Sequence, residues 1–231
     1  MPEASPDVVI AISGHAEVTG IGWKSLSRFF DLPKDVRGLR TLDVCAGMSD
    51  FAYALHQRGA EAHALDLLYG DFQELTERHK VSFRDIARDV FHTNPNGTKG
   101  RQIYEQYVRS FRDSLKKAPG IYVGGSATHL PFADASFDFV TSFNGLFGTL
   151  DFDGRALTPA LLEVLRVLKP GGSAQLIPYQ RGPILDDHQR QAQRDAVDPL
   201  RNREDITLSD HIAHDSALLG GSVAILTITK S

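Results

Sequence analysis

Residues 42–68 read LDVCAGMSDFAYALHQRGAEAHALDLL, and this stretch decides the fold class of the chain. It begins inside a β-like run at Arg40–Val44, which predicts a short strand. Small residues follow, then a helical pattern at Asp50–Arg58 and a second strand-like run at Glu61–Asp66. A strand, tight turn, helix and strand is the repeating unit of a parallel sheet. The stretch therefore predicts an α/β fold.

The rest of the chain continues this alternation of strands and helices. Further strands are predicted at Gly120–Gly124, Phe137–Ser142, Ser173–Pro178 and Ser222–Lys230. Further helices are predicted at Gln73–Phe91, Arg101–Lys117, Ala156–Leu168 and Asp186–Val197. We expect a single domain over residues 1–231, built on one sheet with helices on both faces.

The composition is that of a globular protein, with 42% hydrophobic and 23% charged residues among 231. Lys plus Arg is 25 and Asp plus Glu is 29, so the net charge of −4 argues against nucleic acid as a partner. The single cysteine, Cys45, excludes an intramolecular disulfide and favours a reducing, cytoplasmic setting. No run approaches the ~20 apolar residues that span a bilayer, so we expect no membrane segment.

The turn after the first strand and the end of the second strand form a candidate ligand site. Small residues at Cys45–Ser49 let a ligand approach the backbone, and the helix that follows offers free N–H groups. Asp66 lies about 20 residues beyond this turn, where a carboxylate holds the hydroxyls of a nucleoside ribose. The two features together predict an adenosine-type ligand.

Three segments resemble the class I S-adenosylmethionine-dependent methyltransferases, and in particular their small-molecule, methyltransferase type 11-like branch. Residues 42–68 resemble the glycine-rich motif and second-strand acid of that family. Residues 125–142, GSATHLPFADASFDFVTS, resemble its adenine-binding loop and fourth strand. Residues 161–179, LLEVLRVLKPGGSAQLIPY, resemble the helix and turn before its fifth strand. The resemblance implies a Rossmann-like, seven-stranded sheet whose last strand, Val223–Thr229, is antiparallel.

The resemblance also implies S-adenosylmethionine as cofactor and methyl transfer to the O, N or C atom of a small molecule. The residues that would line the cofactor are Asp43, Gly47 and the backbone of Cys45 and Ala46 at the methionine end, Asp66 at the ribose, Ser126, Ala127 and Leu130 at the adenine, and Phe143 beside the cofactor. The sequence departs from the family pattern at Cys45 and Ser49, where glycine is usual, and at Ser126, where aspartate is usual.

Catalysis of methyl transfer mainly requires alignment of a nucleophile with the methyl group, and a base helps when the nucleophile is a hydroxyl. The candidate catalytic residues are His129, Asn144 and Tyr179, which we expect at the carboxyl edge of the sheet. Residues 142–145 read SFNG and lack the Asn/Asp-Pro-Pro-aromatic tetrad of related enzymes that methylate amino groups of nucleobases and glutamine. This favours a small-molecule substrate.

Two other functions stay open. A nicotinamide-dependent oxidoreductase needs a G-x-G-x-x-G pattern, and the segment CAGMSD supplies one glycine. A non-catalytic S-adenosylmethionine-binding module, or a partner subunit of an active enzyme, would explain the departures at Cys45, Ser49 and Ser126. Binding and turnover assays separate the three.

Histidines and aromatic residues near the two ends of the chain have alternative interpretations. His211 and His214 suggest a metal, but three-residue spacing on a strand points the two rings to opposite faces, so we expect no metal. Trp23, Phe29 and Phe30 either cover the cofactor or pack the first helix on the sheet.

The segment after the second strand is longer than a connection requires. About fifty residues separate Asp66 from Gly120, whereas a parallel crossover needs about a dozen. Two helical patterns and the turn-forming residues Asn94–Gly97 predict a helical insertion at about 71–118. Its apolar stripe consists of Ile103, Tyr104, Tyr107, Phe111 and Leu115. We expect this stripe to pack against the sheet, across the active-site mouth as a lid, or on a second subunit in a homodimer. The insertion leaves the sheet at the edge that holds the cofactor, which favours the lid.

Replacing Ser126 by aspartate tests the assignment of the adenine loop. The restored carboxylate should read the adenine amino group and tighten the binding of S-adenosylhomocysteine, measured by calorimetry. If the folded Ser126→Asp protein binds this ligand more weakly than the wild type, the loop is not arranged as the resemblance implies.

Overall fold

The computed structural model describes residues 26–27, 29–71, 98–147, 155–180, 187–215 and 221–231. The strands are β1 (Arg40–Val44), β2 (Glu61–Asp66), β3 (Tyr122–Gly124), β4 (Phe137–Phe143), β5 (Leu168–Ile177), β6 (Ile206–Asp215) and β7 (Gly221–Lys230). The α-helices are α1 (Phe51–His56), α2 (Thr98–Lys117), α3 (Leu157–Val167) and α4 (Asp187–Val197). Short 3₁₀ turns cover Leu67–Gly70, Pro119–Ile121 and Asp198–Asn202. Of the helices in these ranges, none is both long and apolar enough to cross a membrane.

The seven strands form one sheet in the order β3-β2-β1-β4-β5-β7-β6. Strands β1 to β5 are parallel, and β7 is antiparallel to both of its neighbours. This confirms the predicted α/β fold, its seven-stranded sheet and the antiparallel last strand. The edge strand β6 is absent from the runs singled out in the sequence, because polar residues such as Ser209, Asp210 and His211 interrupt its apolar pattern.

The sheet is buried on both faces, as the prediction of helices on both sides requires. On one face Leu42 of β1 belongs to the same apolar cluster as Leu161 of α3. On the other face Ala64 of β2 clusters with Phe51 of α1. Since successive side chains of a strand alternate between faces, Asp43, next to Leu42, points to the α1 face.

Several element boundaries differ from the sequence prediction by a few residues. Helix α1 begins at Phe51, whose amide donates to the hydroxyl of Ser49 at 3.1 Å. A serine at this position satisfies one of the free N–H groups at the start of the helix. Helix α3 ends at Val167, one residue before its predicted end, and β5 begins at Leu168 rather than at the predicted Ser173.

The order of the strands reverses between β1 and β4, which are neighbours in the sheet but not in the chain. Open α/β folds bind ligands in the crevice at the carboxyl ends of the strands at such a switch point. The turns that follow these two strands are in close contact here, because a Cβ atom on Gly145 would collide with the Cβ atom of Cys45. Gly145 therefore permits the two turns to meet.

Replacing Gly145 by alanine tests this close approach. The added methyl group has no space, so the free energy of unfolding should fall by about 1–3 kcal/mol in urea titrations. Gly120→Ala is the matched control, since a Cβ atom at that position has nothing within 4 Å. Equal stability of the two variants would mean that the turns after β1 and β4 are not in close contact.

Candidate active site

The turn after β1 has a backbone conformation that favours glycine. Cys45 has a φ of 56° and Gly47 a φ of 55°, in the left-handed region that residues with a Cβ atom rarely adopt. The amide of Ala46 donates to the carbonyl oxygen of Leu65 at 3.1 Å, which ties the turn to β2. Cys45 therefore has a backbone conformation that favours glycine, the residue that is usual at this position in the family that the sequence resembles.

Asp66 connects the end of β2 to this turn. Its Oδ2 atom accepts a hydrogen bond from the amide of Gly47 at 3.0 Å, and its Oδ1 atom accepts one from the amide of Leu68 at 2.9 Å. The second bond caps the 3₁₀ turn Leu67–Gly70. The structure therefore brings Gly47 and Asp66, which the sequence predicts in one site, into direct contact.

Asp43 carries a buried carboxyl group on the same side of the crevice as Asp66. Strand pairing places Asp43 opposite Thr141, whose Oγ1 donates to Oδ1 of Asp43 at 3.0 Å. Burial raises the pKa of Asp43 to about 7; the hydrogen bond from Thr141 opposes this rise and the negative charge of Asp66 adds to it. A cation bound beside these two carboxyl groups would favour the ionised form of Asp43.

Cys45 is the only cysteine, and its surroundings make it unreactive. Burial raises the pKa of the Cys45 thiol, and the negative charges of Asp66 and Asp43 raise it further. A thiol that stays protonated at neutral pH is a poor nucleophile. Cys45 therefore contributes its backbone and a small side chain to the turn.

The predicted adenine loop follows β3. Ala127 and Leu130 are buried, and the hydroxyl groups of Ser126 and Thr128 lie 2.8 Å apart. The amide of Thr128 also donates to the Ser126 hydroxyl at 3.2 Å. The uncharged hydroxyl of Ser126 thus helps to hold the conformation of this loop.

Arg166 of α3 fastens the same loop. Its guanidinium donates to Glu163 at 2.7 Å, to Asp134 at 2.6 Å, and to the carbonyl oxygens of Leu130 at 3.0 Å and Phe132 at 2.9 Å. Glu163 accepts a further bond from the amide of Leu130 at 2.7 Å. The hydrogen bonds from Arg166 hold the pKa of Glu163 below its usual value. The sequence signal for this anchor is an acidic and a basic residue three positions apart on an otherwise apolar helix.

Phe143, expected beside the cofactor, closes β4 and packs against the N-terminal part of the described chain. Its ring lies 5.7 Å from that of Phe29, and the ring of Phe30 lies 5.5 Å from that of Phe51. Phe29 and Phe30 are both buried. This agrees with the interpretation in which these residues pack on the sheet. Trp23 lies outside the described residues.

Among the three candidate catalytic residues, Asn144 has an unusual environment. It directly follows β4, with a φ of 56°, and its backbone N–H donates to the carbonyl oxygen of Ile177 at 2.7 Å. Its side chain is 4% exposed, yet Oδ1 has no hydrogen-bond partner in the part of the chain that the structure describes. Because a buried carbonyl oxygen without a partner costs free energy, Oδ1 is suited to accept a hydrogen bond from a bound molecule.

The other two candidates have different surroundings. The ring of Tyr179 packs 5.6 Å from that of Phe147, and its hydroxyl accepts a hydrogen bond from Nη2 of Arg201 at 3.0 Å. Burial raises the pKa of Tyr179 although the charge of Arg201 opposes the rise, so its hydroxyl is suited to donate rather than to act as a base. His129 is exposed on the adenine loop, where its amide donates to the carbonyl oxygen of Ser126 at 3.1 Å.

Gln193 of α4 joins the segments that follow β4 and β5. Its Nε2 donates to the carbonyl oxygens of Phe147 and Pro178, both at 3.1 Å, and its Oε1 accepts from the amide of Gln180 at 2.6 Å. The side chain is 1% exposed. The sequence offers no signal for this role, because Gln193 stands among other polar residues of the same helix.

Helix α2 of the predicted insertion packs beside the turn after β1. The ring of Phe111 stacks on Tyr69 at 5.8 Å and meets the edge of Tyr122 at 5.3 Å, and Met48 of the turn belongs to the same buried cluster. Phe111 belongs to the apolar stripe predicted from the sequence, but the stripe does not reveal its partners, which come from three separate segments.

Other parts of the predicted insertion lie outside the described residues. These are residues 72–97, with the predicted helix Gln73–Phe91 and the turn Asn94–Gly97, and the side chains of Ile103, Tyr104 and Tyr107. The lid therefore stays a prediction, and the contact of α2 with the turn after β1 is consistent with it.

The structure places His211 near the start of the described chain. Its Nε2 lies 3.7 Å from Oδ2 of Asp31, and the side chain of His214 lies outside the described residues. The described ranges contain no group of three or more His, Cys, Asp or Glu side chains that could hold a metal ion.

The chain is similar to known methyltransferases. A family model described as a methyltransferase domain matches residues 98–176. The ubiquinone/menaquinone biosynthesis C-methyltransferase UbiE of Xylella fastidiosa is 30% identical over 174 residues, covering 72% of this chain and 54% of that protein. The demethylmenaquinone methyltransferase of Listeria monocytogenes is 28% identical over 143 residues, covering 61% of this chain and 45% of that protein. The chain thus spans about half the length of the curated relatives it matches.

A solved structure is also similar to the chain. It is that of an S-adenosylmethionine-dependent methyltransferase from Mesorhizobium loti, with a TM-score of 0.49 and 15% sequence identity. The match covers 89% of this chain and 96% of that one.

Replacing Asp43 by asparagine should change how stability depends on pH. The raised pKa of Asp43 stabilises the folded wild type below the unfolded pKa of about 4, and this contribution is lost as the pH rises through about 7. Asparagine cannot ionise, so the stability of Asp43→Asn relative to wild type should increase by about 1–4 kcal/mol between about pH 4 and about pH 8. Urea unfolding across this range measures it, with the exposed Asp113→Asn as control. A constant difference would contradict the buried, neutral state of Asp43.

Proposed function

We propose that this chain, which belongs to the class I S-adenosylmethionine-dependent methyltransferases, transfers the methyl group of that cofactor to a small molecule. The observation that carries the proposal is the hydrogen bond between Asp66 and Gly47. It joins the acid at the end of β2 to the turn after β1, beside the switch point of the sheet. Open α/β folds bind nucleotide-like ligands at such a point.

The residues around this crevice fit the cofactor. Asp66 would accept hydrogen bonds from the ribose hydroxyls, and the backbone of Cys45, Ala46 and Gly47 would face the methionine end. Leu67, which is 72% exposed next to Asp66, offers an apolar surface at the same edge. These groups combine a carboxylate, a closely approachable backbone and an apolar surface, as an adenosine compound requires.

The adenine would lie against the loop Ser126–Leu130, and Phe143 would lie beside the cofactor. Arg166 and Glu163 hold this loop from below through the backbone of Leu130. A loop held in one conformation before binding loses less entropy when the ligand arrives. The anchor on α3 therefore supports the adenine site.

The charge of the crevice also supports the proposal. S-adenosylmethionine carries a sulfonium and an ammonium group, whereas Asp43 and Asp66 place two carboxyl groups on the same side of the switch point. Because the pKa of Asp43 is raised to about 7, a bound cation would lower it and release a proton near neutral pH. The affinity for the cationic cofactor is therefore expected to rise with pH in this range.

When bound, the cofactor supplies an activated methyl group with a good leaving group. The residues of the chain then have to align the nucleophile and exclude water. Asn144 would accept a hydrogen bond from the N–H or O–H of the methyl acceptor through Oδ1, which has no partner among the described residues. Tyr179 would donate a hydrogen bond, and His129 is the candidate that lies exposed on the adenine loop. An amide and a protonated phenol position an acceptor but do not deprotonate it.

The substrate is proposed as a class. The names of the two curated relatives suggest quinone precursors as acceptors, and O, N and C acceptors all remain candidates. A homodimer and a cytoplasmic location, both expected from the sequence, stay predictions.

Binding and turnover assays test the proposal together. Calorimetry with S-adenosylmethionine, S-adenosylhomocysteine and nicotinamide dinucleotides identifies the cofactor, and mass spectrometry detects methylated products from a panel of quinols, phenols and amines. We expect binding of both adenosyl compounds and a mass gain of one methyl group in a panel member. Binding without any transfer would support the non-catalytic module, and binding of the dinucleotides alone would support the oxidoreductase.

Replacing Asp66 by alanine should weaken cofactor binding tenfold or more. Hydrogen bonds from hydroxyls to a carboxylate are worth ~1.5–3 kcal/mol each, and ~1.4 kcal/mol corresponds to a factor of ten. The Kd for S-adenosylhomocysteine measures the loss, and circular dichroism checks the fold. The control is Asp113→Ala on the exposed face of α2. An unchanged Kd in folded Asp66→Ala protein would contradict the ribose assignment.

A further inference from the structure

Gly47 is held on both sides by the segment that follows β2. Its amide donates to Asp66 at 3.0 Å, and its carbonyl oxygen accepts a hydrogen bond from the hydroxyl of Tyr69 at 2.7 Å. Asp66 also caps the 3₁₀ turn that carries Tyr69, through the amide of Leu68 at 2.9 Å. The two contacts therefore come from one short, rigid unit.

The bond from Tyr69 fixes more than one atom of the turn. A trans peptide group is planar, so the direction of the Gly47 carbonyl also determines the direction of the Met48 amide. This peptide group lies at the switch point, two positions after Cys45 in the turn. We propose that Tyr69 is a positioning residue that holds the peptide after Gly47 in the conformation required for cofactor binding, and that α2 supports it through Phe111. The inference rests on the proposed function.

The contacts of the Tyr69 ring explain how α2 takes part. The ring stacks on Phe111 of α2 with centroids 5.8 Å apart and an angle of 30°, and it meets the ring of Tyr122 at 5.4 Å and 84°. Phe111 is 1% exposed. Two aromatic neighbours on different sides restrict the ring, so its hydroxyl keeps one position. Burial also raises the pKa of Tyr69, which keeps the hydroxyl a donor.

The Tyr69 bond differs from the Asp66 bond in what a ligand does to it. Ribose hydroxyls would compete with the amide of Gly47 for the oxygen atoms of Asp66. The carbonyl oxygen of Gly47 and the hydroxyl of Tyr69 are not part of that competition. Tyr69 therefore holds the turn through a bond for which the ligand does not compete, and α2 links the insertion to cofactor affinity.

A matched pair of tyrosine substitutions tests the inference. Tyr69→Phe removes the hydroxyl bound to Gly47 and keeps the ring. Tyr122→Phe removes a hydroxyl from the same cluster, one that lies 2.6 Å from the hydroxyl of Ser114. Tyr69→Phe should raise the Kd for S-adenosylhomocysteine by about five- to tenfold, and Tyr122→Phe by less than about twofold. Equal effects of the two variants would overturn the positioning role.

Hydrogen exchange of the ligand-free protein gives a readout that does not depend on the cofactor. Peptides that cover the turn after β1 should exchange faster in Tyr69→Phe than in Tyr122→Phe. Equal exchange would overturn the inference even if the ligand binds. If the wild type fails to bind S-adenosylhomocysteine but the exchange difference is present, the proposed function fails and the positioning of the turn stands.

The role of α2 is tested by combining substitutions. Phe111→Leu removes the stacked ring and should raise the Kd about threefold in the wild-type background. It should have little further effect in the Tyr69→Phe background, because Phe111 acts through the hydroxyl of Tyr69. Additive effects of the two substitutions would show that Phe111 affects the site by another route and would overturn this part of the inference.

Discussion

The hydrogen bond from the amide of Gly47 to the carboxylate of Asp66 is the contact on which the site depends. It crosses 19 positions of sequence and is charge-assisted, so it is stronger than a bond between neutral groups. Parallel pairing of β1 with β2 brings the two strand ends level, and this bond then joins the turns that follow them. Tyr69 and Leu68 attach to the same unit through the 3₁₀ turn. The ring of Phe111 stacks on Tyr69 and so connects helix α2 to the same unit. The turn after β1, the 3₁₀ turn after β2 and helix α2 are thus linked around the crevice.

The electrostatics of the crevice have a cost in the ligand-free protein. Asp43 is buried near Asp66, and two like charges in a poorly solvated site raise the free energy of the folded state. The raised pKa of Asp43 expresses this cost, which comes mainly from burial and to a smaller extent from the charge of Asp66. Glu163 and Arg166, by comparison, are partly buried groups of opposite charge that pair with each other. A cation bound in the crevice would relieve this cost, so that stability of the ligand-free protein is traded for affinity.

Sequence patterns predict the local elements of this fold well and its long-range contacts poorly. The bounds of β1 and β2 agree with prediction residue for residue, because both strands are short β-like runs between clear turns. Asp66 could be placed at the site because its spacing from the turn reflects the length of one strand, turn and helix unit. The bond from Tyr69 to Gly47 could not be predicted, because it depends on how a 3₁₀ turn orients a side chain. The hydrogen bonds from Gln193 to the segments after β4 and β5 could not be predicted either, because tertiary packing decides whether a glutamine is buried.

A crystal structure of the protein with S-adenosylhomocysteine would show whether Asp66 holds the ribose. We expect both ribose hydroxyls within about 2.6–3.2 Å of the Asp66 carboxylate, with the adenine against the loop that contains Ser126 and Leu130. We also expect the carbonyl of Gly47 to keep its bond to Tyr69 in the complex. An ordered ligand whose ribose lies away from Asp66 would refute the role of this carboxylate, and so would a crevice that stays empty at saturating ligand concentration.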